Sequence, residues 1–141
     1  NASMQWFEDC DSFFKLIALN RAKGARVFLS AFLPQTYWQL AVAIRACVNP
    51  DFYIPAESFY SAYYYRALCR RFNLDLNVAT YKVSTTFKDV SALLKTIQQT
   101  GVTIADHRLN LNKTLIKRLD NFFNEYFGCV RVDFEYILLT A

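Results

Sequence analysis

The sequence predicts one α/β or α+β domain, in which a mixed sheet of about four strands is covered by about five helices. Apolar residues recur at helical spacing in five stretches, and shorter runs rich in β-branched and aromatic residues lie between them. The predicted order is α-β-α-α-β-α-β-α-β. Strands separated by helices favour crossovers onto a shared sheet. The alternative is a mostly α domain, in which residues 26–33 are helical.

Length and composition indicate a single domain. The chain has 141 residues, of which 54% are hydrophobic and only 20% charged, the opposite of a disordered composition. The first three residues, which precede Met4, are interpreted as an expression-tag remnant, so the predicted domain spans residues 4–141. Three glycines leave little room for a glycine-rich phosphate cradle.

The first half of the chain alternates helical and strand patterns. Residues 4–22 read as a helix ended by Gly24. Residues 26–33 form a nearly continuous apolar run, which predicts a strand buried on both faces. Pro34 is predicted to open the next helix, which Asn49 and Pro50 stop.

The second half repeats this alternation. Residues 76–85 predict a strand, and Thr86 with Asp89 resembles a capping box for a helix that Gly101 ends. Residues 102–105 predict a short strand. The last helix is capped by Asn110 or Asn112 and ended by Gly128. The final segment alternates apolar and charged residues, and its charged face would also suit a sheet edge.

The helix predicted over residues 55–72 has the most unusual composition. Pro55 suits the first helical position, and Glu57 near the start with arginines near the end matches the helix dipole. One face is expected to join the core: Ser58, Ser61, Ala62, Tyr65, Leu68, Cys69 and Phe72. The other face is half aromatic and half arginine: Phe59, Tyr60, Tyr63, Tyr64, Arg66, Ala67, Arg70 and Arg71.

This Tyr/Arg face carries the leading functional hypothesis, a non-catalytic module that docks a protein partner or a second copy of itself. The expected contact residues are Tyr60, Tyr63, Tyr64, Arg66, Arg70 and Arg71. Tyrosine and arginine are enriched in protein–protein hot spots. The second hypothesis uses the same face for RNA or single-stranded DNA, because rings stack on bases and guanidiniums neutralise phosphates. The plain structural alternative is a helix packed between two layers.

The charge distribution fits a binding surface without requiring one. The net charge is +4, which is too small for a dedicated nucleic-acid binder. Residues 15–72 contain eight basic and two acidic side chains, a local net charge of +6. That basic segment contains the Tyr/Arg face and also agrees with a solvated surface.

The cysteines indicate a reducing compartment, cytoplasmic or other. Cys10, Cys47, Cys69 and Cys129 form no C-x-x-C pair and are interpreted as reduced thiols. A zinc site is not expected, because His107 is the sole histidine, and no cofactor motif is present. No apolar run is long enough to predict a membrane span.

A third hypothesis is a small hydrolase or nuclease centred on His107. Asp106, His107 and Arg108 follow a predicted strand, where His107 could act as general base and Arg108 could hold a phosphate. Neighbouring residues of an extended segment point in opposite directions, so a surface loop is the favoured interpretation. The sequence therefore leans away from an enzyme.

One carboxylate pair also lies on a strand face. Asp133 and Glu135 could serve a metal nuclease if a lysine lay close by. The residues that follow are Tyr136 and Ile137, so this interpretation is weak.

Overall fold

The last strand of the chain forms the centre of the sheet. The computed structural model describes residues 4–99 and 112–141. Within them lie β1 (Phe28–Phe32), β2 (Asn77–Thr86) and β3 (Arg131–Thr140), in the order β1-β3-β2. Both outer strands pair antiparallel with β3, so they run parallel to each other with β3 inserted between them.

The predicted class, α/β or α+β, is confirmed as α+β, but the prediction of a mixed sheet was wrong. Within the described ranges the sheet has three strands and is antiparallel throughout, and the strand predicted at residues 102–105 lies outside those ranges. β3 is central rather than at an edge, and β1 is an edge strand rather than buried on both faces. β1 is short and pairs only with residues 136–140 of β3. The charged half of β3 therefore extends beyond β1.

Five α-helices surround this sheet in the described part of the chain. They are α1 (Cys10–Asn20), α2 (Trp38–Cys47), α3 (Ala62–Arg71), α4 (Val90–Gln99) and α5 (Lys113–Phe127), with short 3-10 helices at Met4–Trp6 and Pro55–Ser58.

Side-chain caps set where four of these helices begin, namely α1, α3, α4 and α5. Asp9 accepts a hydrogen bond from the Ser12 amide at 2.9 Å, which separates α1 from the 3-10 turn before it. Asp89 caps α4, whereas Thr86 is the last residue of β2, so the predicted capping box was wrong. Asn112 caps α5, and Gly128 ends it at a φ of 74°, as predicted.

The turn before α2 completes the sheet edge that β1 leaves open. The amides of Leu33 and Tyr37 donate to the carbonyls of Glu135 and Asp133, at 2.9 and 2.8 Å. The Thr36 hydroxyl contacts both the N–H and the carbonyl of Glu135, as a strand residue would. α2 therefore begins at Trp38, four residues later than Pro34, because the intervening backbone satisfies β3.

The core divides into two clusters on opposite faces of β3, because successive side chains of a strand point to opposite sides. Val132 packs with α2, α4 and α5, whereas Ile137 and Leu139 pack with α1 and α3. A fully buried residue of this kind contributes roughly 1.5–3 kcal/mol. The second cluster holds α3 against the sheet and so fixes which of its residues face outward.

Candidate functional site

The helix predicted over residues 55–72 is divided into two helices by an extended segment. After the 3-10 helix Pro55–Ser58 the backbone of Phe59 is extended, and α3 begins at Ala62 with the Ser61 hydroxyl as its cap. Phe59 was predicted to face outward but is only 7% exposed, and its ring lies 5.4 Å from that of Trp6. Burying this ring outweighs continuing the helix.

An ion pair holds the 3-10 helix in place. Arg45 of α2 contacts both carboxylate oxygens of Glu57 at 2.7 Å and donates to the Phe52 carbonyl. Glu57 also accepts from the Ile54 amide. These bonds fix Glu57 within the short 3-10 helix, rather than in the first turn of one long helix.

Three residues of the predicted Tyr/Arg face contact α1 or Glu8, which precedes α1 in the chain. The rings of Tyr60 and Tyr64 stack at 4.4 Å. The Tyr60 hydroxyl donates to the Glu8 carbonyl at 3.3 Å, and the Tyr64 hydroxyl donates to the Asp11 carboxylate at 3.0 Å. Arg71 forms an ion pair with the same carboxylate. These side chains join two helices of the domain.

The hydroxyl of Tyr64 is held in its protonated form. Burial, reinforced by the hydrogen bond to Asp11 and the charge of that carboxylate, raises the pKa of Tyr64 to about 12. The neighbouring Tyr65 is fully buried, and burial raises its pKa as well. Both hydroxyls therefore ionise only at a more alkaline pH than a free tyrosine does.

The remaining predicted contact residues on α3, together with Ala67 from the same helix face, form one exposed stripe. Tyr63, Arg66, Ala67 and Arg70 recur at helical spacing on α3, and all four are exposed. The Tyr63 side chain is 78% exposed. Neither guanidinium has a hydrogen-bond or ion-pair partner within residues 4–99 and 112–141. We call these four residues the α3 stripe.

A groove runs along the C-terminal half of this stripe. It has a volume of about 550 Å³ and lies between α3 and the beginning of β2. Its walls are Arg66, Cys69 and Arg70 on one side and residues 73–78 on the other. Asp75 is its acidic residue, so the two guanidiniums give the groove a positive balance.

The structure brings a lysine to the Asp133 and Glu135 pair, from the neighbouring strand. Lys82 of β2 lies opposite Glu135 in the register, and its Nζ is 2.8 Å from Asp133 Oδ2. The Ser84 hydroxyl donates to Oδ1 at 2.6 Å, and the Trp38 indole donates to Oδ2 at 2.8 Å. Only the strand register could have predicted this contact, because Lys82 and Asp133 are distant in the sequence.

This cluster is an anchor rather than a metal centre. The Asp133 side chain is only 4% exposed, and both of its oxygens accept hydrogen bonds. Burial alone would raise its pKa, but the donors Lys82, Ser84 and Trp38 outweigh burial and lower it well below 3.8. No group of three potential metal ligands occurs among the residues that the structure describes.

Several predictions from the sequence concern features away from the stripe. Asp106, His107 and Arg108 lie outside the described residues, so the hydrolase hypothesis stays a prediction. All four cysteines are described, and none of them forms a disulfide. No helix within the described ranges is long and apolar enough to cross a membrane.

The comparisons with known proteins add no family to these observations. No model of a known protein family matches the sequence, and no curated protein shows significant similarity to it.

Proposed function

We propose that this chain is a non-catalytic binding module that docks a protein partner on the α3 stripe. The observation that carries the proposal is the 78% exposure of Tyr63 on the same stripe as two guanidiniums that have no partner in the described residues. A large ring left in water beside unpaired arginines is the composition of an interface hot spot. Each of these side chains offers contact area together with a polar tip.

The structure of α3 favours a protein partner over single-stranded nucleic acid. Nucleic-acid binding of that kind uses successive rings on which neighbouring bases stack. Two of the three tyrosines predicted for such stacking, Tyr60 and Tyr64, pack on each other and contact the α1 region. One exposed ring remains on the stripe, and this arrangement suits a hot spot better than a stacking platform.

Site-specific cross-linking tests the proposal. The photoreactive residue benzoylphenylalanine is placed at position 63 and, as a matched control, at Tyr126 of α5, whose side chain is 64% exposed. We expect a discrete protein adduct from position 63 alone, and we expect it to disappear in an Arg66→Ala/Arg70→Ala background.

Two results would contradict this function. Equal adducts from positions 63 and 126 would mean that exposure alone causes the cross-link. An adduct that nuclease treatment removes would favour the nucleic-acid hypothesis.

A further inference from the structure

The outer edge of β2 presents main-chain groups that a partner strand could use. Over all ten of its residues β2 pairs with β3 on one side, and no other strand of the described chain pairs with its second side. In an antiparallel pair, alternate residues direct their N–H and C=O groups away from the neighbour. β2 contains no proline or glycine and is rich in Val and Thr. Such an edge is a template for a further strand.

This edge begins inside the groove of the α3 stripe. Asn77 and Val78, the first two residues of β2, line the groove together with Arg66 and Arg70. A strand added to β2 would therefore pass beside both guanidiniums. The exposed arginines and the open edge form one continuous surface.

Basic residues slightly outnumber acidic ones along this surface and lie mostly at its two ends. Arg66 and Arg70 stand at the beginning of β2, Lys82 lies in its middle, and Lys88 follows its end. Arg131, also exposed, pairs in register with Thr86 at that end. Four acids are close: Asp75 in the groove, Asp133 paired with Lys82, Glu135 opposite Lys82 in the register, and Asp89 next to Lys88. The excess of positive charge at both ends of β2 complements an acidic partner.

The same charges oppose pairing with a second copy of this chain. A two-fold axis across the middle of β2 would place each Lys82 close to its symmetry mate. It would also bring Arg66 and Arg70 towards the partner's Lys88. Like charges facing each other across strands are destabilising. The surface therefore suits a different chain that carries negative charge.

We propose that β2 takes up an extended acidic peptide segment as a fourth strand of the sheet, with carboxylates beside Arg66 and Arg70. The inference rests on the proposed docking function and names the chemistry of the partner. Main-chain hydrogen bonds to β2 supply affinity, and the arginines select acidic side chains.

The probe is a ten-residue synthetic peptide of alternating Glu and Val, acetylated and amidated at its ends. Its matched controls are the same peptide with alternate amides N-methylated, and the same peptide with Lys in place of Glu. Binding is followed by titration calorimetry and by amide chemical shifts of the isotope-labelled protein.

We expect the acidic peptide to bind and to shift the amides of residues 77–86. The N-methylated peptide should not bind, because it cannot form the main-chain hydrogen bonds of a strand pair. The Lys peptide should not bind, because its positive charges repel the arginines. Arg66→Ala/Arg70→Ala should weaken binding roughly tenfold, since two partly exposed charge pairs are lost.

The outcomes separate this inference from the function on which it rests. If the N-methylated peptide binds as well as its parent, strand addition is overturned. If the acidic peptide fails while position 63 still gives an arginine-dependent protein adduct, strand addition is again overturned, and the docking function stands. If an oligothymidylate binds with steep salt dependence and the acidic peptide does not bind, both strand addition and the protein-docking function are overturned.

Discussion

Lys82 Nζ lies 2.8 Å from Asp133 Oδ2, and this ion pair joins the two longest strands beside the start of α2. The Lys82 side chain is 58% exposed, whereas that of Asp133 is 4% exposed. Asp133 therefore bears most of the desolvation cost, which the donors Lys82, Ser84 and Trp38 offset. Its backbone N–H also donates to Gln39 of α2, so one residue connects a helix to two strands.

We expect Asp133→Asn to lower the free energy of unfolding by about 2–3 kcal/mol, because the buried acceptor of several hydrogen bonds loses its charge. Urea denaturation measures this change. The matched control is Glu135→Gln on the same strand face, whose side chain has no hydrogen-bond partner within the described residues. It should change stability by less than about 0.5 kcal/mol. Equal losses in the two variants would contradict the anchoring role of Asp133.

The contribution of Asp133 to the free energy of unfolding should disappear at acidic pH. Its pKa is lowered on folding, so the stability it provides is present above its unfolded pKa and is lost as the pH falls through the folded value. The difference in unfolding free energy between the wild type and Asp133→Asn should be constant near neutrality and shrink below about pH 4. Urea unfolding from pH 7 to pH 2 measures it. A constant difference over this range would show that the carboxylate is not perturbed.

Three consecutive tyrosines should respond differently to replacement by phenylalanine. Tyr63→Phe should leave stability unchanged, because its side chain is exposed. Tyr64→Phe should cost about 1 kcal/mol, because the bond to Asp11 is lost. Tyr65→Phe should be neutral or stabilising by about 1 kcal/mol, since its buried hydroxyl has no hydrogen-bond partner among the described residues. Chemical denaturation of the three variants measures the series, and equal effects would refute the assigned environments.

The hydrogen bond from the Tyr64 hydroxyl to Asp11 should also give a measurable stability change at alkaline pH. Its pKa is raised to about 12 on folding, so its contribution to stability is complete below the unfolded value near 10. That contribution declines as the pH rises from about 10 to 12. The stability difference between the wild type and Tyr64→Phe should therefore narrow over this interval in urea denaturation. A difference that persists unchanged at pH 12 would contradict the raised pKa.

We expect the isolated chain to be a monomer. Two copies paired through β2 would oppose the basic residues at its ends, and that repulsion is strongest at low salt. Light scattering should give the mass of one chain, 16.4 kDa, at low and high salt, and also for Tyr63→Ala/Arg70→Ala. A wild-type dimer that this double variant dissociates would instead assign the α3 stripe to self-association.

Local signals were sufficient for much of the secondary structure. Asn112 and Gly128 delimit α5 as predicted, because capping chemistry is local to a few residues. The strand predicted over residues 76–85 differs from β2 by one residue at each end. The break at Phe59 was not predicted, because helical spacing continues through that residue and only its burial beside Trp6 favours the extended backbone.

The sequence by itself predicted a domain that mixes helices and a sheet, the approximate strands and helices, and the presence of tyrosine and arginine on one helix. Tertiary structure decided which of those side chains have partners within the domain, because the first turn of α1 supplies Asp11 to Tyr64 and Arg71. It also placed β3 between two strands distant in sequence and so brought Lys82 to Asp133. Periodicity gives the faces of an element, whereas the partner of each face depends on long-range packing.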